Sequence, residues 1–272
     1  MSAAGEVADG PSAAWQPLTF RGVAAFASAR LARLLCAEII AAMILAAAVV
    51  WFLHRAYCPV ILHAIQNMPE TAHLANGTLQ GVPSVLIAES RFLAIAVTPR
   101  PGREIGQDAD VQIQLRQDDL CAGSIFWPDW GLDFDYGRGT ALNLARSNLE
   151  PWWSAWQPVL LIGSAVAIVL FLLLFWALLA AIYMAPAKFI AWFADRYLSW
   201  GGAWRLASAA LLPGILVLFG AIILYGWSVI DLVGLSFFGA VQLLVGWIYL
   251  MGGCCKVTRL FPKDSKRNPF TA

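Results

Sequence analysis

Apolar positions follow two different rhythms along this chain. In four places they run almost unbroken for about 20 residues, enough at ~1.5 Å per residue to cross the hydrocarbon core of a bilayer as a helix. Two of these runs predict spans at 34–54 and 157–184. The other two lie in one apolar stretch, 206–255. As a single helix that stretch would be roughly 75 Å long, more than twice the hydrocarbon thickness, so it must fold back. The segment YGWSVIDL (225–232), with its lone charge at Asp231, is the natural turn and divides the stretch into spans 206–227 and 232–253.

The second rhythm has a period of two. In ADVQIQLRQDD (109–119), Val111, Ile113 and Leu115 alternate with Gln112, Gln114 and Arg116. This is the pattern of a strand with one apolar and one wet face. Similar short runs occupy 84–88, 92–98, 124–127 and 132–136. Turn signals separate them at Asn76-Gly77, which suits a type I′ hairpin, and at 99–102 and 136–139. Five strands in succession predict an antiparallel meander. The flanks 57–72 and 139–153 read as helices that join it to the spans.

Unpaired peptide groups cannot be left in hydrocarbon, so a sheet of this kind belongs in water. The predicted fold class is therefore a membrane α-helical bundle with four transmembrane helices and an inserted extracytoplasmic α+β domain, 55–156, containing an antiparallel sheet. The remaining segments are an amphipathic N-terminal stretch (1–33), an interfacial stretch (185–205) and a basic tail (254–272). Within them, LTFRGVAAFASARLARLL (18–35) and KFIAWFADRYLSW (188–200) read as helices lying in the membrane interface.

Composition strengthens this picture. The chain has 272 residues, 60% of them hydrophobic and only 13% charged, where soluble domains average about 25% charged. The net charge of +1 supplies no bulk attraction to nucleic acid. Placement of charge is more informative. With the N-terminus in the cytoplasm, eleven of the 18 basic residues fall inside, including all four lysines (Lys188, Lys256, Lys263 and Lys266). The positive-inside bias then places both termini in the cytoplasm. The first span has no small-residue cleavage site after it and reads as an uncleaved anchor. Trp51, Trp152, Trp153, Trp156 and Trp227 fall at outer helix ends and Trp192, Trp200 and Trp204 at inner ones, as in an aromatic belt.

Candidate chemistry is sparse. His54, His63 and His73 lie close in sequence with Cys58 among them, but His54 and His63 project from opposite sides of any common helix. Asp133-x-Asp135-x-Gly137, near Asp129, is a fragment of a calcium-loop pattern without its distant glutamate. Cys58 and Cys121 are the two cysteines placed outside, where an oxidising compartment allows one disulfide. Glu38 is the one charge within a span and is expected to reach toward Arg30, Arg33 or Arg205. Gln242 is the polar residue of the fourth span, and Pro213-Gly214 predicts a kink in the third. SIFWPDW (124–130) offers Phe126, Trp127 and Trp130 for contact with lipid or a partner. Asn76-Gly77-Thr78 is a glycosylation sequon by pattern. No nucleophile-elbow, zinc-protease, P-loop or Cys-x-x-Cys signature is present, and no cofactor is implied.

A helix, then IQNMPETAHLANGTLQG (65–81), then a small β domain and a three-helix unit bearing AALLPGIL (209–216) form a familiar order. This layout, with Pro69, Asn76-Gly77 and Pro213, resembles a bacterial family of membrane proteins of unknown function that includes maltodextrin-operon membrane proteins. The resemblance implies a bacterial cytoplasmic (inner) membrane and an accessory role near transport, and it implies no site residues. The expected function is non-enzymatic: an accessory or scaffolding subunit whose extracytoplasmic domain binds a membrane or envelope protein partner or senses a ligand. Two alternatives stay open. One is a component of small-solute or lipid transport using Glu38, Gln242 and the Pro213 kink; the other is a membrane-bound metal-dependent hydrolase using His63, His73 and the aspartates of 129–135.

Overall fold

A computed structural model describes residues 16–83, 85–98 and 109–258, the side chains of 127–130 excepted. The predicted turn at 99–102, most of the basic tail and the side chains of Asp129, Trp127 and Trp130 lie outside the described residues. The chain divides into two compact units, one drawn from 1–48 and 166–272, the other from 49–165.

The first unit is helical. Four helices of the chain are long and apolar enough to cross a membrane. A short helix, α1 (Phe20–Phe26), precedes them, capped by the Thr19 hydroxyl accepting from Gly22 N at 3.0 Å. Its buried residues Gly22, Val23 and Phe26 pack against the later helices, while Leu18 and Phe20 beside them stay exposed. Next comes α2 (Leu31–Ala56), somewhat longer than the predicted first span. The centre of the unit is α5 (Trp200–Gly226), which is buried along most of its length and packs most extensively on α6 (Leu232–Cys254). The turn between them falls at 227–231 as predicted. Asp231 is there for a local reason: its carboxylate caps α6, accepting from Gly234 N at 2.7 Å.

The helix α4 departs from expectation. It is one rod of 48 residues, Arg146–Phe193, where the sequence suggested a linking helix, a span and a separate interfacial helix. Pro158 and Pro186 each remove one ladder N–H, yet the helix runs through both. The supposed interfacial helix 188–200 is instead the end of α4, a turn with Asp195 at φ 53°, and the Ser199 cap that opens α5. A stripe of buried residues, Trp176, Ala180, Tyr183, Ala187 and Ala191, recurs every three or four positions and seats the lower half of α4 on its neighbours. Trp204 Nε1 donates to Ala177 O at 3.2 Å, and the Tyr183 and Trp247 rings lie 5.0 Å apart. Pro213 lies inside α5, which likewise continues past it.

The second unit holds two sheets and the helix α3 (Cys58–Gln66), together with the adjoining ends of α2 and α4. The small sheet has the order β2-β1-β8, from β1 (His73–Ala75), β2 (Thr78–Gln80) and β8 (Leu142–Asn143). Asn76 and Gly77 join β1 to β2 with φ of 52° and 78°, the left-handed pair a type I′ turn requires. The larger sheet has the order β3-β4-β5-β6-β7: β3 (Val85–Glu89), β4 (Leu93–Val97), β5 (Val111–Leu115), β6 (Asp119–Ser124) and β7 (Trp127–Asp135).

This larger sheet is not the predicted meander. β4 and β5 pair in parallel, Leu93 with Val111 through Val97 with Leu115, so the chain must cross over between them. The stretch read as a strand at 124–127 is the tip of the β6–β7 hairpin, and the segment 139–145 runs from a turn at Gly139 through the short strand β8, with helix only from Arg146. A core of Leu74, Leu79, Ile87, Leu93, Ile95 and Val97 sits between the sheets and α3. Val111, Ile113 and Leu115 face it as the alternation foretold. Asn67 Nδ2 donates to Ile87 O at 3.0 Å and pins the end of α3 to β3.

Candidate functional site

Among the described strands, β7 carries the most exposed large apolar side chain, Leu132. Residues directly opposite in an antiparallel pair share a face of the sheet. Leu115 stands opposite Leu120, which stands opposite Phe134; Ile113 stands opposite Ala122, which stands opposite Leu132. The apolar layer that β5 turns toward the core therefore continues across β6 to β7, where none of the described residues covers it. Leu132 is 66% exposed and Phe134 56%, and the hairpin tip adds Ile125 at 51% and Phe126 at 41%. Of the aromatic stretch singled out in the sequence, Phe126 joins this surface. Leu132 and Phe134 were read only as strand residues; their alternation with Asp133 and Asp135 was the available signal.

The opposite face of the same strand is acidic. Arg116 Nη1 lies 3.4 Å from an oxygen of Asp119 and 3.4 Å from one of Asp133. Asp135 stands across from Asp119. Beneath them Cys121 is buried, and burial followed by the neighbouring Asp133 raises its thiol pKa. Gly131 makes room for that sulfur, since a Cβ there would come within 2.7 Å of it.

Tyr136 follows β7 and packs on the core. Its buried hydroxyl has no hydrogen-bond partner among the described residues. Burial first, and Asp119 second, push its pKa to about 12. An unfolded tyrosine ionises near 10 whereas the fold holds this one neutral, so its burial costs stability as pH rises from about 10 to about 12 and nothing below pH 10. Burial raises Tyr57 as well, so a phenolate absorbance titration is expected to show a late-ionising component that loses one tyrosine in Tyr136→Phe, and the variant should be as stable as wild type or more so, because it removes an unpaired buried hydroxyl.

The disulfide allowed by compartment is not formed. Cys58 and Cys121 are both free. Cys58 is buried with Ile65 and Trp153, whereas Cys121 lies in the β6–β7 layer. Trp153 is thus a core residue, while Trp152 and Trp156 are exposed as a belt requires. The histidines are not gathered: the His63 ring lies 3.4 Å from Asn67 Nδ2, and His73 Nδ1 lies 2.8 Å from Thr71 O. Among the described residues no three His, Cys, Asp or Glu side chains come together.

Among the helices, Glu38 is 4% exposed and accepts a hydrogen bond from the Ser208 hydroxyl. It does not reach the expected arginines; Arg205 instead donates to Ala29 O at 2.6 Å. Ser208 was not foreseen, because a single serine in an apolar helix carries no sequence signal of its partner. Ser208→Ala is expected to destabilise the helical unit by about 1–3 kcal/mol, since it strands a buried acceptor, while Glu38→Gln keeps an acceptor and should cost less; thermal unfolding in detergent compares them. Gln242 packs elsewhere, against Gly214 on the far side of α5 from Ser208. The two α5 positions are six residues apart, about 9 Å along the axis and roughly 120° around it. Glu38 and Gln242 therefore do not converge. A cavity of about 280 Å³ between α1, α2 and α5 is lined by apolar residues such as Phe26, Ile40, Ile44 and Leu216.

These features describe a helix-rich chain with four helices long and apolar enough to cross a membrane and a unit of mixed and antiparallel sheets. Compared with family models, curated proteins and solved structures, it matches none.

Proposed function

We propose that this chain is a bacterial inner-membrane accessory protein, non-enzymatic, with both termini in the cytoplasm and the sheet unit outside, where it holds a membrane or envelope protein partner. The observation that carries this reading is the uncovered apolar face of β7 with the hairpin tip, Leu132, Phe134, Ile125 and Phe126. Exposed apolar side chains of this kind on a water-facing unit suit an interaction site, because burying them removes area from water at about 25 cal/mol per Å². The resemblance of the sequence layout to maltodextrin-operon membrane proteins is in keeping with the same setting. A transport pathway has less to rest on, since Glu38 and Gln242 occupy different faces of α5 and the cavity beside them is apolar.

A photoreactive phenylalanine at position 134, activated in native membranes, is expected to give a discrete protein adduct, and Leu132→Asp with Phe134→Asp is expected to reduce partner co-purification at least tenfold without unfolding the unit. Both positions are exposed, so the polar replacements leave the core intact. Absence of an adduct would overturn the reading. So would failure of a membrane-impermeant maleimide to label Gln112→Cys in spheroplasts above the wild-type level.

A further inference from the structure

Resting on that partner-binding reading, we infer that the occupant of β7 is an extended strand of another protein, apolar on one face and carrying lysine or arginine on the other. Among the described residues β7 ends the five-stranded sheet, and its nine residues give it length to pair. Tyr136 N donates to Asp118 O at 3.1 Å, toward β6. Hydrogen bonding alternates along an antiparallel strand, so the backbone groups of Gly131, Asp133 and Asp135 point the other way, to the open side. Such an edge is a template for strand addition, in which main-chain bonds give affinity and alternate side chains give specificity.

The side chains decide which strand fits. On one face a newcomer extends the layer of Leu132 and Phe134, which calls for apolar residues at every second position. On the other it meets Asp133 and Asp135, with Asp119 alongside and only Arg116 within ion-pair distance of any of them among the described residues. Residues 55–156 contain eleven acidic and seven basic residues and not one lysine. On that face one arginine stands among three aspartates, and an added strand can supply further positive charge.

A second copy of this chain is a poor occupant. Symmetric antiparallel pairing of β7 with itself keeps like faces on the same side and sets aspartates against aspartates. A lipid surface is no better suited, because it would have to take the acidic face with the apolar one on adjacent residues of a single strand.

The test uses full-length protein in nanodiscs and dye-labelled eight-residue peptides, one alternating Val and Lys, one alternating Val and Glu. The basic peptide is expected to bind at least tenfold more tightly than the acidic one, at least threefold more weakly to Asp135→Asn, and not measurably to Leu132→Asp with Phe134→Asp. Methylating the backbone nitrogens of the basic residues abolishes binding of an antiparallel strand, and methylating those of the apolar residues abolishes binding of a parallel one. Equal binding of acidic and basic peptides, indifference to both methylation patterns, or quenching of a fluorophore at Phe134→Cys by brominated lipid would each overturn strand addition. If the photoreactive residue at 134 captures a partner while the peptides fail, the partner-binding reading stands and the strand chemistry falls; if both fail, both fall.

Discussion

Gly81→Ala is expected to destabilise the sheet unit by about 2–5 kcal/mol. Two separate effects act at this position. Gly81 has φ 78°, in the left-handed region, where a Cβ costs roughly 1–2 kcal/mol. That Cβ would also lie 2.0 Å from the carbonyl oxygen of Thr71, a backbone atom with no rotamer to escape into. The contact cannot simply open, because the Thr71 hydroxyl donates to Gly81 O at 2.8 Å and ties the segment before β1 to the end of β2. A small unit has of order 5–15 kcal/mol in all, so the loss is a large fraction. Hydrogen exchange at Leu74 and Leu79, both buried in the core, should quicken accordingly. Gly123→Ala is the matched control: a Cβ there meets nothing within 4 Å, and the change should stay within about 0.5 kcal/mol.

The second large effect is expected among the helices. A Cβ on Gly214 would come within 2.7 Å of both Cγ and the backbone oxygen of Gln242. The absent side chain is what lets α5 and α6 approach closely, as small residues do at helix contacts within membranes. Gly214→Ala is expected to destabilise this unit by about 1–3 kcal/mol or more, read as a lower melting temperature in detergent. Adding Gln242→Ala removes Cγ but leaves the carbonyl in place, so it should restore only part of the loss. Full recovery would show that the side chain alone sets the distance.

Some of this architecture was legible in the sequence because single physical constraints determine it. The four long apolar helices follow from runs of about 20 apolar residues, and the fold-back at 227–231 from a run more than twice as long as a bilayer core requires. Asn76-Gly77 could hardly be anything but a tight hairpin. The alternation of Val111, Ile113 and Leu115 correctly gave the buried face of β5. What it could not give was which strand lies beside β5, since period two is the same for parallel and antiparallel neighbours. β6 was missed because DLCAGS has little of the β-branched and aromatic content that marks a strand.

The candidate site was only half readable for a related reason. Leu132-Asp133-Phe134-Asp135 declares two faces, but exposure of the apolar one depends on β7 being last in the sheet, a fact of topology. Glu38 was visible as an intramembrane charge, whereas its pairing with Ser208 depends on how α2 and α5 are rotated. The continuity of α4 was hidden by Pro158 and Pro186, each of which ordinarily argues for a break.

That continuity has a consequence for how the chain meets lipid. At ~1.5 Å per residue the 48 residues of α4 have a length of roughly 72 Å. A bilayer with its headgroups is about 40–45 Å thick, so an upright helix of this length overshoots it. If α4 crosses a bilayer, then even at a lean of roughly 40°, the upper end of the range for spanning helices, about twenty of its residues stand clear of the oil.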